Sequence, residues 1–426
     1  MNRTETADQQ PQQSNKAPSE TRGSFFGRLF SHQESGLVIV IIMMMCVLTV
    51  YGHFNPSSGK RKIELTPDAR IELLDAQNNA HEVGTIAKRN IAQYRVTQGD
   101  DVSDYPASRI DRFDATTNTL YAIDKQNRFL KKSNISLVLK DASFFAIMAV
   151  GMTGVIILAG IDLSVGSIYA FSAIVGAMAL SALPEGAGWY ISLPVGMLTC
   201  MTVGTLCGLA NGSMSVGLGV HPFVITLGMM AVLRGLTIVI PQQIFNTQSI
   251  GGFPDSIMTG TIKAELFGVH PVPVFVMILV AIIGWFVLSR TVFGRRIYAI
   301  GGNETAAQYA GIPVGRVKIL VYTITGTLCG LSACLYLGYF GAGETNAGNA
   351  YELQVIAATV IGGASLMGGR GTAIGAVLGA IIIQLINNAM VIFEIDQSYN
   401  QIVMGAAIII AVVIDQTKQR VQARRG

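Results

Sequence analysis

The residues between Arg290 and Lys318 carry the most specific pattern in the chain. From Arg290 to Pro313 they read Arg-Thr-Val-Phe-Gly-Arg-Arg-Ile-Tyr-Ala-Ile-Gly-Gly-Asn-Glu-Thr-Ala-Ala-Gln-Tyr-Ala-Gly-Ile-Pro. Asn303 offers a side-chain acceptor to the free N–H groups of a helix start. Glu304 puts negative charge in the first turn, and Gly311 with Pro313 supplies the stop. The spacing predicts a helix of about two turns, with Gly301 and Gly302 leading into it. Ala306 and Ala307 leave that helix nearly bare, which suits a surface held closely in another protein's groove. A merely connecting loop needs neither the small residues nor both caps.

Two charges stand inside otherwise apolar stretches. Asp162 lies in Gly160-Ile-Asp-Leu-Ser-Val-Gly166, and Arg234 lies within Phe223–Pro241. Such charges are costly in lipid and mark pathways or ion pairs. For Asp162 with Ser164 the nearer reading is a cap, an oxygen accepting a free N–H where a helix begins. For Arg234 it is a structural ion pair or a contact with carbonyls. Neither has partners that suggest a proton relay. The five cysteines and five histidines are scattered, with no CxxC and no metal-ligand spacing. The chain has no GxxxxGK[ST] phosphate loop, and its apolar stretches hold no nucleophile and base together. No catalytic, cofactor or metal site is expected.

What must position these residues is a membrane bundle. Half of the 426 residues are AVILMFWYC, only 13% are charged, and the 47 glycines follow no collagen period; soluble domains carry about 25% charge. Of the 30 basic and 26 acidic residues, 33 precede residue 141. A net charge of +4 is too small to suggest nucleic-acid binding. A span needs about 20 apolar residues, and about ten such runs occur: 36–54, 141–160, 166–183, 189–210, 223–241, 272–289, 317–339, 352–368, 371–392 and 400–415. In lipid they must be helices. Arg290, Arg295, Arg296, Arg316 and Lys318 share one loop, and Lys418, Arg420, Arg424 and Arg425 share the tail. The short loops on the other side contribute only Lys263. The positive-inside rule then puts both ends in the cytoplasm.

The expected organisation is an all-α, polytopic bundle with one insert. Residues 1–35 are a polar, disordered cytoplasmic N-terminus, 36–54 a first transmembrane helix that stays as an anchor, and 417–426 a basic cytoplasmic tail. Residues 140–416 form the transmembrane domain. Residues 55–139 are soluble in character, with strand-like pieces at Arg70–Leu74 and Thr119–Ile123. They read as a small extracytoplasmic insert. Gly371, Gly375 and Gly379, like Gly204, Gly208 and Gly212 and like Gly326 and Gly330, recur at helix-packing spacing. A shift of 203 brings Gly160–Ala177 onto Gly363–Ala380 with seven identities, a weak repeat of the kind that transporters build paths between.

At these residues the chain resembles bacterial ABC-importer permeases of the ribose/xylose/galactose type, in the branched-chain amino acid and sugar permease superfamily. The stretches are Ala146-Ile-Met-Ala-Val-Gly-Met-Thr153, Gly160-Ile-Asp-Leu-Ser-Val-Gly-Ser167, Pro222-Phe-Val-Ile-Thr-Leu-Gly228 with Leu233-Arg-Gly235, and Gly294 to Gly311. Tyr351-Glu-Leu353, Ile361-Gly-Gly-Ala-Ser-Leu366 and Gly368-Gly-Arg-Gly371 complete them. Ala306-Ala-Gln-Tyr-Ala-Gly311 is similar to the permease coupling segment, although Thr305 stands where that motif has glutamate. The resemblance implies a multi-pass protein of the bacterial inner membrane with no enzymatic activity of its own. It implies three partners: an ABC ATPase docked on Gly301, Gly302, Asn303, Glu304, Ala306, Ala307 and Gly311, an extracytoplasmic sugar-binding protein, and a second permease copy or sister. The insert departs from the family pattern. A permease for a branched-chain amino acid, a nucleoside or a signal molecule is the alternative, and an ion-coupled carrier is a further one.

Overall fold

The computed structural model describes residues 33–66, 69–83, 90–98, 101–114, 119–257, 261–264, 266, 270–407, 409–410 and 413. The polar N-terminal expectation, apart from its last three residues, and the basic tail lie outside them. An uncharged run from Gly36 to Tyr51 gives α1 (Gln33–Phe54), a helix long and apolar enough to cross a bilayer.

The insert that follows is built of strands, so the chain is not all-α. β1 (Ser57–Glu64) pairs antiparallel with β7 (Thr119–Gln126), which also pairs with β6 (Ile110–Asp114). A second sheet has the order β3 (Ala80–Glu82), β2 (Arg70–Leu74), β4 (Gln93–Gln98), β5 (Asp101–Pro106), antiparallel throughout. Both strand-like pieces read from the sequence fall inside strands, β2 and β7. Leu73, Tyr94, Val96, Ile110 and Leu120 form a small core of their own. Asn127 fastens the insert to α1, its amide donating to Thr49 O at 2.8 Å.

Among the described residues up to Ile392, ten further α-helices follow: α2 (Lys132–Ile157), α3 (Val165–Ser181), α4 (Trp189–Leu218), α5 (Pro222–Phe245), α6 (Pro271–Arg290), α7 (Val292–Gly302), α8 (Glu304–Tyr309), α9 (Val314–Phe340), α10 (Tyr351–Ile361) and α11 (Ala373–Ile392). Among the described residues, seven helices are long and apolar enough to span: α1, α2, α4, α5, α6, α9 and α11. Two of the ten expected runs are shorter. α3 has 17 residues. α10 has only 11, because Gly362 and Gly363 open a turn, Gly363 with φ +96°. The run 400–415 is helical to residue 407 and mostly undescribed beyond it. α2 begins eight residues before 140, since its first turns are too polar for a hydropathy reading to include.

Glycine sets how closely the helices cross. A Cβ on Gly204 would strike Gly326 O, one on Gly208 would strike Tyr322 O, and one on Gly330 would strike Cys200 O, so α4 and α9 touch backbone to backbone. Gly375 and Gly379 do the same on α11 against Gly362 O, just past α10, and Ala358 O of α10. Gly371 does not belong to that helix face. It precedes α11 with φ +153°, a conformation only glycine adopts readily. Without a hydrophobic force between helices in lipid, such close approach is what holds them.

Candidate functional site

Between α6 and α9 the sequence folds into two helices rather than one. Thr291 starts α7, its Oγ1 accepting the N–H of Gly294 at 3.1 Å. Asn303 ends α7 and starts α8, its Oδ1 accepting the N–H of Ala306 at 2.9 Å. The N–H of Gly311 then donates to Gln308 O, and that of Ile312 to Ala307 O, which closes α8 with Gly311 at φ +77°. Glu304 takes an ion pair from Lys318 at 2.7 Å, tying α8 to the first turns of α9.

The exposed face of α8 differs from the one read from the sequence. Ala307 points into the bundle with 4% of its surface exposed, because its methyl is small enough to seat the short helix there. Ala306 and Gln308 face outward, and Tyr309 is 90% exposed. A cleft of 470 Å³ opens beside α8, lined by Glu304 and Gln308 and by Gly219, His221 and Pro222 of the α4–α5 turn.

Gly301 and Gly302 do different things. A Cβ on Gly301 would overlap Ile157 O and lie 2.7 Å from Gly369 N, whereas nothing stands within 4 Å of one on Gly302. The end of α7 therefore rests on the last residue of α2, and Gly302 is free to face another molecule. Gly369 N itself donates to Ile157 O at 2.8 Å. Both copies of the weak repeat are interrupted helices, and their interruptions meet here, under the end of α7.

The break after α2 turns on Ala159 at φ +57°. Asp162 Oδ1 accepts from Ser164 N at 2.8 Å and from Ser164 Oγ at 2.6 Å, and Asn211 of α4 donates to Ser164 Oγ at 2.8 Å. Thr226 of α5 accepts from Leu163 N at 3.2 Å. Asp162, Ser164, Asn211 and Thr226 are all fully buried. The carboxylate thus supplies an acceptor just ahead of α3, and the same node ties three helices to the break.

Arg234 reaches from α5 to the loop before α10, donating to Ala347 O at 2.8 Å and to Gly348 O at 2.9 Å. Glu352, in the first turn of α10, lies over Gly166, where a Cβ would meet its Oε2 and, at 2.7 Å, Gly348 O. Three polar features escaped the sequence reading. Lys140 is buried in α2, paired with Asp141 at 2.7 Å and lying 4.3 Å from the ring centre of Tyr339. An apolar run counted from 141 hides it. Glu352 opens the expected run 352–368 and entered the sequence reading only within Tyr351-Glu-Leu353. Tyr309 entered it only within Ala306-Ala-Gln-Tyr-Ala-Gly311. Among the described residues, no group of three His, Cys, Asp or Glu side chains is placed to hold a metal.

Comparison with known proteins places the chain in a family. Residues 134–412 match the family described as branched-chain amino acid transport system, permease component. The ribose import permease of Haemophilus influenzae is 39% identical over 293 residues, 67% of this chain and 86% of the relative. The ribose import permease of Escherichia coli is 37% identical over 300 residues, 68% and 88% respectively. The galactose/methyl galactoside import permease of Escherichia coli is 34% identical over the same length and shares. No solved structure matches the chain. A family match running from the first turn of α2 through α11, over α7, α8 and both helix breaks, makes this chain a member of the branched-chain amino acid transport system permease component family.

Proposed function

We propose that the chain is the translocating permease subunit of an ATP-driven importer of a monosaccharide, seated in the bacterial inner membrane. Family membership and the similarity to ribose and galactose permeases support the substrate class. One observation carries the mechanism: α8 is capped at Asn303, stopped at Gly311, and continuous with an α7 whose last turn rests on Ile157 O through Gly301. A push on α8 is delivered to the end of α2 and the loop before α11. ATP-driven closure of a separate ATPase supplies that push, and nucleotide binding biases the bundle between its two orientations.

The topology this reading uses has ten spans and both ends in the cytoplasm. The seven long helices, the shorter α3 and α10, and the 400–415 run make up the count. The insert, with the loops before α6 and α10, then faces outward, where an extracytoplasmic sugar-binding protein docks. Sugar passes between two permeases, either two copies of this chain or this chain and a sister. The test is uptake by vesicles holding the chain, its ATPase and its binding protein. Uptake should require ATP and all three; uphill accumulation with the ATPase left out would overturn the reading.

A further inference from the structure

One face of α5 carries Arg234 and Gln242, with Ile238 between them. Arg234, Ile238 and Gln242 are spaced four residues apart and so share a face. They line a cavity of 370 Å³ closed by Gln248, Thr345, Asn346 and Asn349. The closing residues are held in place by short backbone bonds. β8 (Ser249–Ile250) pairs with β9 (Gly343–Glu344), Thr345 N donates to Gln248 O at 3.0 Å, and Arg234 clamps Ala347 O and Gly348 O. Among the described residues, no hydrogen bond uses the carboxamides of Gln242, Gln248, Asn346 or Asn349.

The surroundings say what kind of space this is. Neighbouring faces of α5 expose Val232, Leu236 and Val239, as befits lipid or a second permease. A mid-helix arginine and four carboxamides do not belong against acyl chains. Gln242 stands in the last turn of α5, and Gln248, Thr345, Asn346 and Asn349 lie in the loops before α6 and α10, so in the topology proposed above the cavity opens onto water at the outer end of the helix. Its lining also says what it takes. Carboxamides and the threonine hydroxyl both donate and accept, as sugar hydroxyls do. Among the described lining residues there is no carboxylate to hold a cation or an amino group, and the single guanidinium already spends two donors on backbone carbonyls. The volume lies within the range of about 300–1,000 Å³ usual for small-molecule sites.

We infer that this cavity is a sugar-contacting subsite of the translocation path, in which Gln242, Gln248, Asn346 and Asn349 exchange hydrogen bonds with the hydroxyls of a neutral monosaccharide. The inference rests on the monosaccharide-importer reading and adds the residues that touch the cargo. Arg234 is a positioning residue here, since it fixes the loop that presents Asn346 and Asn349. The subsite takes part in selectivity after release from the binding protein, so its signature is a change in relative transport rates.

The test uses the complete transporter in vesicles at saturating, loaded binding protein. Rates are measured for ribose, allose, galactose and their monodeoxy analogues, in wild type and in Gln242→Leu, Asn349→Leu and the double variant. Both side chains are exposed on this chain, so folding is spared; Val239→Leu, on another face of α5, serves as the control. Each lost hydrogen bond should slow the preferred sugar about fivefold and shift its ratio to at least one other panel sugar by a similar factor. Thermal stability should stay at the wild-type value, and the control should change nothing. Equal slowing of every sugar, or no slowing, overturns the subsite while leaving the importer reading intact. A wild-type complex that moves no monosaccharide overturns both.

Discussion

The N–H of Gly369 donates to the carbonyl of Ile157 at 2.8 Å, joining the helix break after α2 to the loop before α11. The last carbonyls of a helix have no partner within it, and here one is satisfied from a second broken helix. Gly301 closes over the same bond, so three segments far apart in sequence meet at one peptide group.

That crowding predicts opposite behaviour for two adjacent glycines. Gly301→Ala forces a methyl onto Ile157 O and should cost about 1–3 kcal/mol, read as a lower melting temperature in detergent. Gly302→Ala meets open space and should melt like wild type. Gly302→Asp should also melt normally but lose co-purification with the ATPase. Equal melting temperatures for Gly301→Ala and Gly302→Ala would contradict the packing described.

The outward face of α8 makes a second pair. Tyr309→Ala removes the most exposed side chain of the helix and should weaken ATPase association without changing stability. Ala307→Arg buries a charge against the bundle and should lower the yield of folded protein. Loss of ATPase binding from a well-folded Ala307→Arg protein, with Tyr309→Ala unaffected, would assign the contact to the other face. Asn303→Ala should cost about 1 kcal/mol through its lost cap.

At the α2–α3 break, Asp162→Asn keeps an oxygen for Ser164 and should transport at a rate near that of wild type. Asp162→Ala leaves buried donors unpaired, a loss of about 1–3 kcal/mol, and should be thermally weaker. A well-folded Asp162→Asn that carries nothing would give this carboxylate a role in the path instead.

The insert offers a pH prediction. The side chain and backbone N–H of Asn79 donate to Asp75, and His81 and the Gln77 N–H add to this. The carboxyl is held well below the usual carboxylate range as a result. A depressed folded value means the turn gains stability above the unfolded value of about 3.9 and loses it as pH falls towards the folded one. Protection of the Gln77 and Asn79 amides from hydrogen exchange, measured on the whole chain, should fall on acidification in wild type more than in Asp75→Asn. Parallel curves for the two proteins would remove the carboxylate from the explanation.

The two ends of the insert lie side by side, with Ser57 opposite Gln126. Replacing 57–126 by a short Gly/Ser linker should therefore leave α1 and α2 in place. Size-exclusion behaviour and melting of the remaining bundle check this, and aggregation would show that the sheets support the helices.

The sequence by itself determined whatever depends on local composition. Apolar runs of span length fixed the long helices, Asn303 and Gly311 bounded α8, and the strand-like composition of Arg70–Leu74 and Thr119–Ile123 marked two strands. Family membership was legible too, because it rests on motifs such as Gly160 to Ser167 that lie contiguously in the chain. Tertiary structure decided what depends on neighbours from elsewhere. That Ala307 faces inward while Tyr309 stands clear follows from how α8 lies on α9, and no periodicity over six residues reveals that. Gly301 and Gly302 are identical in sequence and differ only because Ile157 O stands beside one of them. The α5 face with Arg234 and Gln242 becomes a cavity only when Asn346 and Asn349, more than a hundred residues on, are folded against it. A hydropathy scan weighs each residue against water; a site is defined by the groups that replace that water.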